Sequence, residues 1–234
     1  PTRRSSDLYS HNKGLFETRE AISQYFKRKY NFLYSEEEII VTNGASEALD
    51  TSLRSIIEPG DDILIPGPIY AGYIPLVETL GGNPVYIDTT QSDFKVTPEL
   101  IESHLTHKTK AILLNYPTNP TGVILERSEV KNIVDTLVNK HIFIISDEIY
   151  AENTFKGQHT SFAEFPEIRD QLLLIGGLSK SHSATGIRIG FLLGPEYLIE
   201  KLTFMHAYNC ICANVPAQIA CTTALNEGIN APLY

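Results

Sequence analysis

The sequence predicts an α/β domain in which helices cover both faces of a mainly parallel sheet. Short apolar runs such as His141 to Ser146 and Leu172 to Ile175 alternate with longer stretches of helical periodicity. Those runs are nearly continuous in apolar residues, as strands buried on both faces are. Polar clusters stand directly after several of them, where a sheet of this kind places its ligands, outside the carboxyl ends of the strands.

Each element has its own justification. Leu15 to Tyr30 reads as an amphipathic helix, with Ile22, Tyr25 and Phe26 on one face and basic residues on the other. Glu38 to Thr42 is a short β-rich run, and Asn43-Gly44 turns it into a helix over Ala45 to Ile57 that Pro59-Gly60 ends. Asp62 to Pro66 is the next strand, a helix follows from about Tyr70 to Leu80, and Val85 to Ile87 is a further strand. Thr97-Pro98-Glu99 carries a cap residue, a proline at the first helical position and an acid in the first turn, so a helix opens there. Lys110 to Asn115 reads as a strand, Glu126 to Lys140 as a helix, and His141 to Ser146, Leu172 to Ile175 and Ile189 to Leu193 as strands. Glu196 to His206 and Val215 to Glu227 read as closing helices.

Bulk properties narrow the function classes. With 234 residues, 42% of them hydrophobic and 20% charged, the chain can bury one sizeable core. A net charge of −9 disfavours a nucleic-acid or anionic-membrane surface. No apolar run reaches the roughly 18 residues of a membrane span, and no signal peptide is visible, so a cytoplasmic protein is expected. Cys210, Cys212 and Cys221 are too few and too clustered for a disulfide framework, and the Cys-x-Cys pair, in an expected helix, lacks the spacing or His partners of a zinc site. No metal is expected. Residues 1–8 read as a leader, and the chain does not begin with Met.

The stretch that organises the chemistry is Gly176 to Gly190. Lys180 sits between two apolar runs, and burial disfavours its charged form, which suits an amine that condenses with a carbonyl. Arg188 follows among small residues that let an anion approach. An amine and a guanidinium in a Gly/Ser-rich frame suit an aldehyde that also carries a phosphate, and pyridoxal phosphate is the obvious candidate. Taken alone, the two residues read equally well as solvated loop charges. Three further clusters change the balance. Thr42-Asn-Gly-Ala-Ser46 opens a helix, whose free N–H groups suit a phosphate. Asn115 to Gly122 packs Asn, Pro and Gly densely enough to aim Asn119 at a ring hydroxyl. Ser146-Asp-Glu-Ile-Tyr150 offers a carboxylate for a pyridine nitrogen, and either Asp147 or Glu148, not both, can face the site if the strand persists.

These clusters, with Gly14-Leu-x-x-x-Arg19, Gly44-Ala-Ser-Glu-Ala48, Pro68-Ile-Tyr-Ala-Gly-Tyr73, Asn119-Pro-Thr-Gly122, Asp147-Glu-Ile-Tyr150, Ser179-Lys180 and Gly186-Ile-Arg-Ile-Gly190, resemble the fold-type I class I/II aminotransferases from about Tyr9 to Glu227. The resemblance implies a three-layer α/β/α large domain that binds pyridoxal 5'-phosphate. It implies Lys180 as internal-aldimine lysine and proton shuttle, Asp147 as partner of the pyridine nitrogen, and Tyr150 and Asn119 as donors to the ring hydroxyl oxygen. Tyr70 is similar to the aromatic that stacks on the ring. Gly44, Ala45, Ser46, Ser179 and Arg188 resemble the phosphate cup, and Tyr9 the tyrosine that reaches the phosphate of the neighbouring subunit in a homodimer. Residues 1–13 are expected to be a leader and the remnant of an N-terminal segment, and 14–234 the large domain, with the C-terminal small domain and its substrate-carboxylate arginine absent. Gly177 replaces a Ser common three residues before the lysine.

The expected activity is transfer of an amino group between an amino acid and a 2-oxo acid through a Lys180 Schiff base. The Leu-Ser-Lys-Ser-His-Ser-x-Thr-Gly run resembles enzymes acting on aromatic amino acids or acetylated diaminopimelate. The alternatives are a carbon–sulfur β-lyase of the same fold, a non-catalytic cofactor sensor, and a chain that binds cofactor without turnover.

Overall fold

A computed structural model describes residues 9–227; the expected leader over 1–8 and the chain end from 228 to 234 lie outside them. In chain order the elements are α1 (Phe16–Tyr30), β1 (Ile39–Thr42), α2 (Ala45–Ile56), β2 (Asp62–Gly67), α3 (Tyr73–Thr79), β3 (Asn83–Asp88), α4 (Pro98–His104) and β4 (Thr109–Asn115). They continue with α5 (Arg127–Leu137), β5 (Phe143–Asp147), β6 (Leu172–Gly177), α6 (Leu178–Ser181), β7 (Gly190–Leu193), α7 (Glu196–Cys210) and α8 (Val215–Glu227). The strands form one sheet in the order β1-β7-β6-β5-β4-β2-β3. Pairing is parallel from β3 through β6, and β7 runs antiparallel to both of its neighbours. The mainly parallel sheet expected from the alternation is therefore present, with one reversed strand.

Successive strand residues point to opposite faces, and this sheet buries both. Ile144, Leu174 and Ile112 pack with Ile22, Phe26, Val130 and Ile133 beneath α1 and α5. Ile145, Leu173, Ile175 and Leu113 pack with Leu49, Leu53, Val77 and Leu202 beneath α2, α3 and α7. All of these side chains except Phe26 and Leu49 are wholly or almost wholly removed from water. At roughly 1.5–3 kcal/mol for each fully buried aliphatic side chain, the two layers supply the main force holding the sheet.

Several boundaries differ from the expected ones. The helix expected from Tyr70 begins at Tyr73, which leaves Tyr70 to Gly72 as a loop over the sheet edge. The helix expected to reach Lys140 ends at Leu137, because Val138 is extended and Asn139 adopts a left-handed φ of 65°. The strand expected from His141 starts at Phe143. The helix expected to stop at His206 continues to Cys210, so Cys210 is helical and Cys212 is not. Thr97 caps α4 as expected, its Oγ1 accepting from the Leu100 N–H.

β1 is antiparallel to β7 and so runs in the direction of β6. Consequently Thr42, Asn115, Asp147 and Gly177 end their strands on one edge of the sheet.

Candidate active site

That edge carries a cleft of about 390 Å³, lined among others by Ala45, Ser46, Tyr70, Asn119, Asp147, Tyr150, Ser179, Lys180 and Arg188. Nine of the residues expected from sequence thus converge from five separate segments. Gly44 caps the helix that presents Ala45 and Ser46. Tyr9 does not line the cleft and is 57% exposed on the surface.

Asp147, the last residue of β5, is buried at the cleft, where its Oδ2 accepts a 2.7 Å hydrogen bond from the Tyr73 hydroxyl. Its Oδ1 accepts from the Ile149 N–H at 3.1 Å. Burial pushes this carboxyl up to about 6, against the opposing effect of the Tyr73 and Ile149 hydrogen bonds. Among the described residues no cation pairs with it, so a buried carboxylate faces the cleft with room for a positive or hydrogen-bonding partner.

The choice between Asp147 and Glu148 resolves through the strand's two-residue period. Glu148 turns to the opposite face, where Oε1 accepts from the Ser146 hydroxyl at 2.9 Å and the Phe162 N–H at 3.1 Å. Its Oε2 lies 2.7 Å from His159 Nε2, so the residue is fully engaged in holding the 159–162 loop.

Asn119 and Tyr150 meet as the two expected hydrogen-bonding groups, Asn119 Nδ2 donating to the Tyr150 hydroxyl at 3.4 Å. Asn115 is what places them. Its Oδ1 accepts from the Asn119 N–H at 3.0 Å and its Nδ2 donates to the Asp147 carbonyl at 2.9 Å, bracing the loop against β5. Lys180 sits half-buried on the one-turn helix α6, Nζ 5.4 Å from the centre of the Tyr150 ring. Among the described residues its amine forms no ion pair with a carboxylate and lies over the Tyr150 ring.

The N-terminus of α2 forms the other end of the cleft. Gly44 holds φ at 90°, and a Cβ there would lie 2.5 Å from Arg188 Nη2. Arg188 is exposed and left-handed at φ 56°, and its guanidinium donates to the Asn43 carbonyl at 3.3 Å and the Thr185 carbonyl at 3.0 Å. Neutral carbonyls orient it without consuming its charge. Together with the free N–H groups of a helix start, it forms a site suited to an anion.

The departure at Gly177 has a steric cause. A Cβ there would sit 2.9 Å from the Ile189 carbonyl oxygen and 3.0 Å from Gly190 Cα, where β6 and β7 approach closely. A serine cannot be carried at this position without moving β7.

Two site residues were given no role by the reading of the sequence. Tyr73 stood inside the Pro68 to Tyr73 motif, but its role arises from α3 folding over β5 to bring its hydroxyl to Asp147. Asn115 stood inside a recognised motif, but its bracing role follows from its register opposite Asp147 in the paired strands.

Comparison with known proteins bears on this geometry. The model of the family described as aminotransferase class I and II matches residues 2–230. The chain is 46% identical over 226 residues to a probable N-acetyl-LL-diaminopimelate aminotransferase of Bacillus subtilis (strain 168), covering 96% of this chain and 57% of that protein. It is 37% identical to an aspartate aminotransferase of the same organism, covering 96% of this chain and 58% of the relative. The solved aromatic aminotransferase from Pyrococcus horikoshii OT3 superposes with a TM-score of 0.90 at 32% identity, covering 94% of this chain and 60% of that one. The chain thus spans somewhat more than half the length of the proteins it matches. Sequence match, sheet topology and superposition agree: the chain belongs to the class I and II aminotransferase family.

Proposed function

We propose that this chain forms the cofactor-binding part of a pyridoxal-phosphate-dependent aminotransferase, which moves an amino group between an amino acid and a 2-oxo acid. The observation that carries the reading is the buried carboxylate of Asp147, which pairs with no cation among the described residues, in the same cleft as Lys180 and the anion site at α2. A protonated pyridine nitrogen satisfies such a carboxylate, and the glycine cradle beside Arg188 suits a phosphate. The residues present fit the group.

When bound, pyridoxal phosphate supplies an aldehyde reactive towards amines and a ring that takes up electrons. The α2 N-terminus, Ser46, Ser179 and Arg188 would hold its phosphate, and Asn119 and Tyr150 its ring oxygen. Asp147 would keep its negative charge against the ring nitrogen, which disfavours loss of the proton there. Tyr70 would cover one face and exclude water. Lys180 Nζ would take the proton from the substrate's α-carbon and return it to the opposite end of the reacting system, as general base and then acid.

The proposal extends to residues 14–234 as the large domain, to a homodimer and to a cytoplasmic location. Phe204 (71% exposed) and Tyr208 (90% exposed) stand one turn apart on α7 and support an apolar contact surface. No helix among the described residues is long and apolar enough to cross a membrane. The 46% identity to the Bacillus subtilis protein, above the 37% to the aspartate enzyme, favours N-acetyl-diaminopimelate as the amino compound.

The test is to mix the protein with pyridoxal phosphate and then with N-acetyl-diaminopimelate, aspartate or an aromatic amino acid, and to quantify the 2-oxo acid formed. Stoichiometric oxo-acid release supports the reading. Cofactor binding without release from any donor contradicts it for this chain.

A further inference from the structure

Outside the cleft, on the far side of the α2 N-terminus, three side chains with metal-ligating atoms meet between α2 and α7. Glu47 lies in the first turn of α2, and His206 and Cys210 are one turn apart on α7. Glu47 Oε1 is 3.0 Å from His206 Nδ1 and 2.8 Å from Cys210 Sγ, and Sγ is 3.6 Å from the same Nδ1. All three donor atoms fall within 4.8 Å of one another. The sequence reading of Cys210-x-Cys212 as lacking a His partner is corrected here, because helix α7 continues far enough to stack Cys210 over His206.

We propose that Glu47, His206 and Cys210 form a zinc site, with water in the fourth position. One carboxylate, one imidazole and one thiolate are the donors that Zn²⁺ takes in tetrahedral sites, and the sulfur and nitrogen ligands disfavour Mg²⁺ and Ca²⁺. With metal–ligand bonds of about 2.0–2.3 Å, tetrahedral geometry puts neighbouring donor atoms about 3.4–3.6 Å apart. The sulfur–nitrogen separation already meets this, and the carboxylate oxygen has to withdraw by about 0.4–0.8 Å.

The surroundings support the assignment. His206 is wholly buried, and among the described residues its side-chain polar contacts lie within the cluster, its Nε2 meeting Cys210 Sγ at 3.8 Å. The Asn43 N–H donates to Glu47 Oε2 at 2.5 Å, which fixes the carboxylate and leaves Oε1 turned towards the other two donors. Such outer hydrogen bonds are what orient metal ligands. Cys210 is half-buried, so an ion can enter from its side. In the metal-free cluster the thiol donates to Glu47, and uptake replaces that proton. Zn²⁺ binds the thiolate, the thiol proton leaves to solvent, and the neutral imidazole, whose Nδ1 proton faces Glu47 Oε1 in the metal-free cluster, shifts that proton to Nε2 through solvent and ligates through Nδ1. The bound ion is then neutralised by the thiolate and the carboxylate, with no oxidant or reductant involved.

The experiment uses the untagged, chelator-treated chain without pyridoxal phosphate, so its result is separate from the cofactor reading. Co²⁺ is titrated first and Zn²⁺ then competes against a chromophoric chelator. The expected result is one equivalent of metal, a near-ultraviolet thiolate-to-cobalt band, and a rise in melting temperature at saturating Zn²⁺. Cys210→Ser and His206→Gln should each weaken Zn²⁺ binding by more than about 100-fold, since loss of even an outer-shell partner costs about 10–100-fold. Cys212→Ser should leave it unchanged. Glu47→Gln, isosteric with the native residue, provides the same readout should either helix α7 variant fail to fold. No thiolate–cobalt band in the wild type, or Zn²⁺ binding that survives Cys210→Ser or Glu47→Gln, overturns the proposal.

Discussion

Replacing Asp147 with Asn should stabilise the cofactor-free protein at neutral pH. Burial raises this carboxyl from its usual 3.8 to about 6, so the folded chain holds the proton more tightly than the unfolded chain does. The ionised side chain therefore costs about 3 kcal/mol of stability above pH ~6, a cost that fades as pH falls and is absent below ~4. Asparagine carries no charge, and its amide can satisfy the same neighbours. Its Oδ1 accepts from the Ile149 N–H and its Nδ2 donates to the Tyr73 oxygen, in place of the present bonds at 3.1 and 2.7 Å. The assay is urea unfolding of Asp147→Asn and wild type, both free of cofactor, at pH 7.5 and at pH 4. At an m-value of about 1–3 kcal/mol/M, 3 kcal/mol moves the midpoint upwards by about 1 M or more at pH 7.5. The gap should close towards pH 4. Glu37, Glu47 and Asp62, whose carboxyls are held below the ordinary range, act in the opposite sense but are common to both proteins and cancel in the difference. Cofactor affinity should move the other way, since the variant has no charge for a pyridine nitrogen. A variant no more stable than wild type at pH 7.5, or one with the same advantage at pH 4, refutes the assignment of Asp147 as an unpaired buried charge.

Three other substitutions test the rest of the cleft. Tyr73→Phe removes a hydrogen bond to a charged group worth about 1.5–3 kcal/mol, and the Asp147 carboxyl should rise further above 6; the pH-dependent loss of stability should then extend to higher pH, and an unchanged profile would show that the hydroxyl does not hold the carboxylate. Gly44→Ala puts a Cβ at φ 90° and 2.5 Å from Arg188 Nη2; it should cost about 1–3 kcal/mol and weaken pyridoxal phosphate more than pyridoxal, and equal weakening of both would sink the anion-site assignment. Gly177→Ser, which introduces the residue expected there from the resemblance, should destabilise by about 1–3 kcal/mol through its contact with the Ile189 carbonyl, with no gain in phosphate affinity; tighter binding would mean that β7 yields.

Much of the site was legible because each apolar strand ends where a polar cluster begins, and strand direction does the rest. Asp147, Asn119 and Lys180 are far apart in sequence but share one edge once the strands run parallel. The alternation of side chains also decides between Asp147 and Glu148, though only the structure says which face is the cleft. Long-range packing was what stayed hidden. Tyr73 reaches Asp147 across 74 positions and Glu47 meets His206 across 159, and nothing local in either segment signals its partner. Element ends were hard to read for a related reason: propensity alone extends a helix over Tyr70 to Gly72, whereas the fold holds those residues as the loop that places Tyr70 at the cleft.

The most direct test of the central claim is borohydride reduction of the protein with bound pyridoxal phosphate, followed by peptide mass mapping, in wild type and Lys180→Ala. The account predicts one cofactor fixed per chain on the peptide that contains Lys180, and none in the variant. Fixation on another lysine, or equal labelling of both proteins, would contradict it.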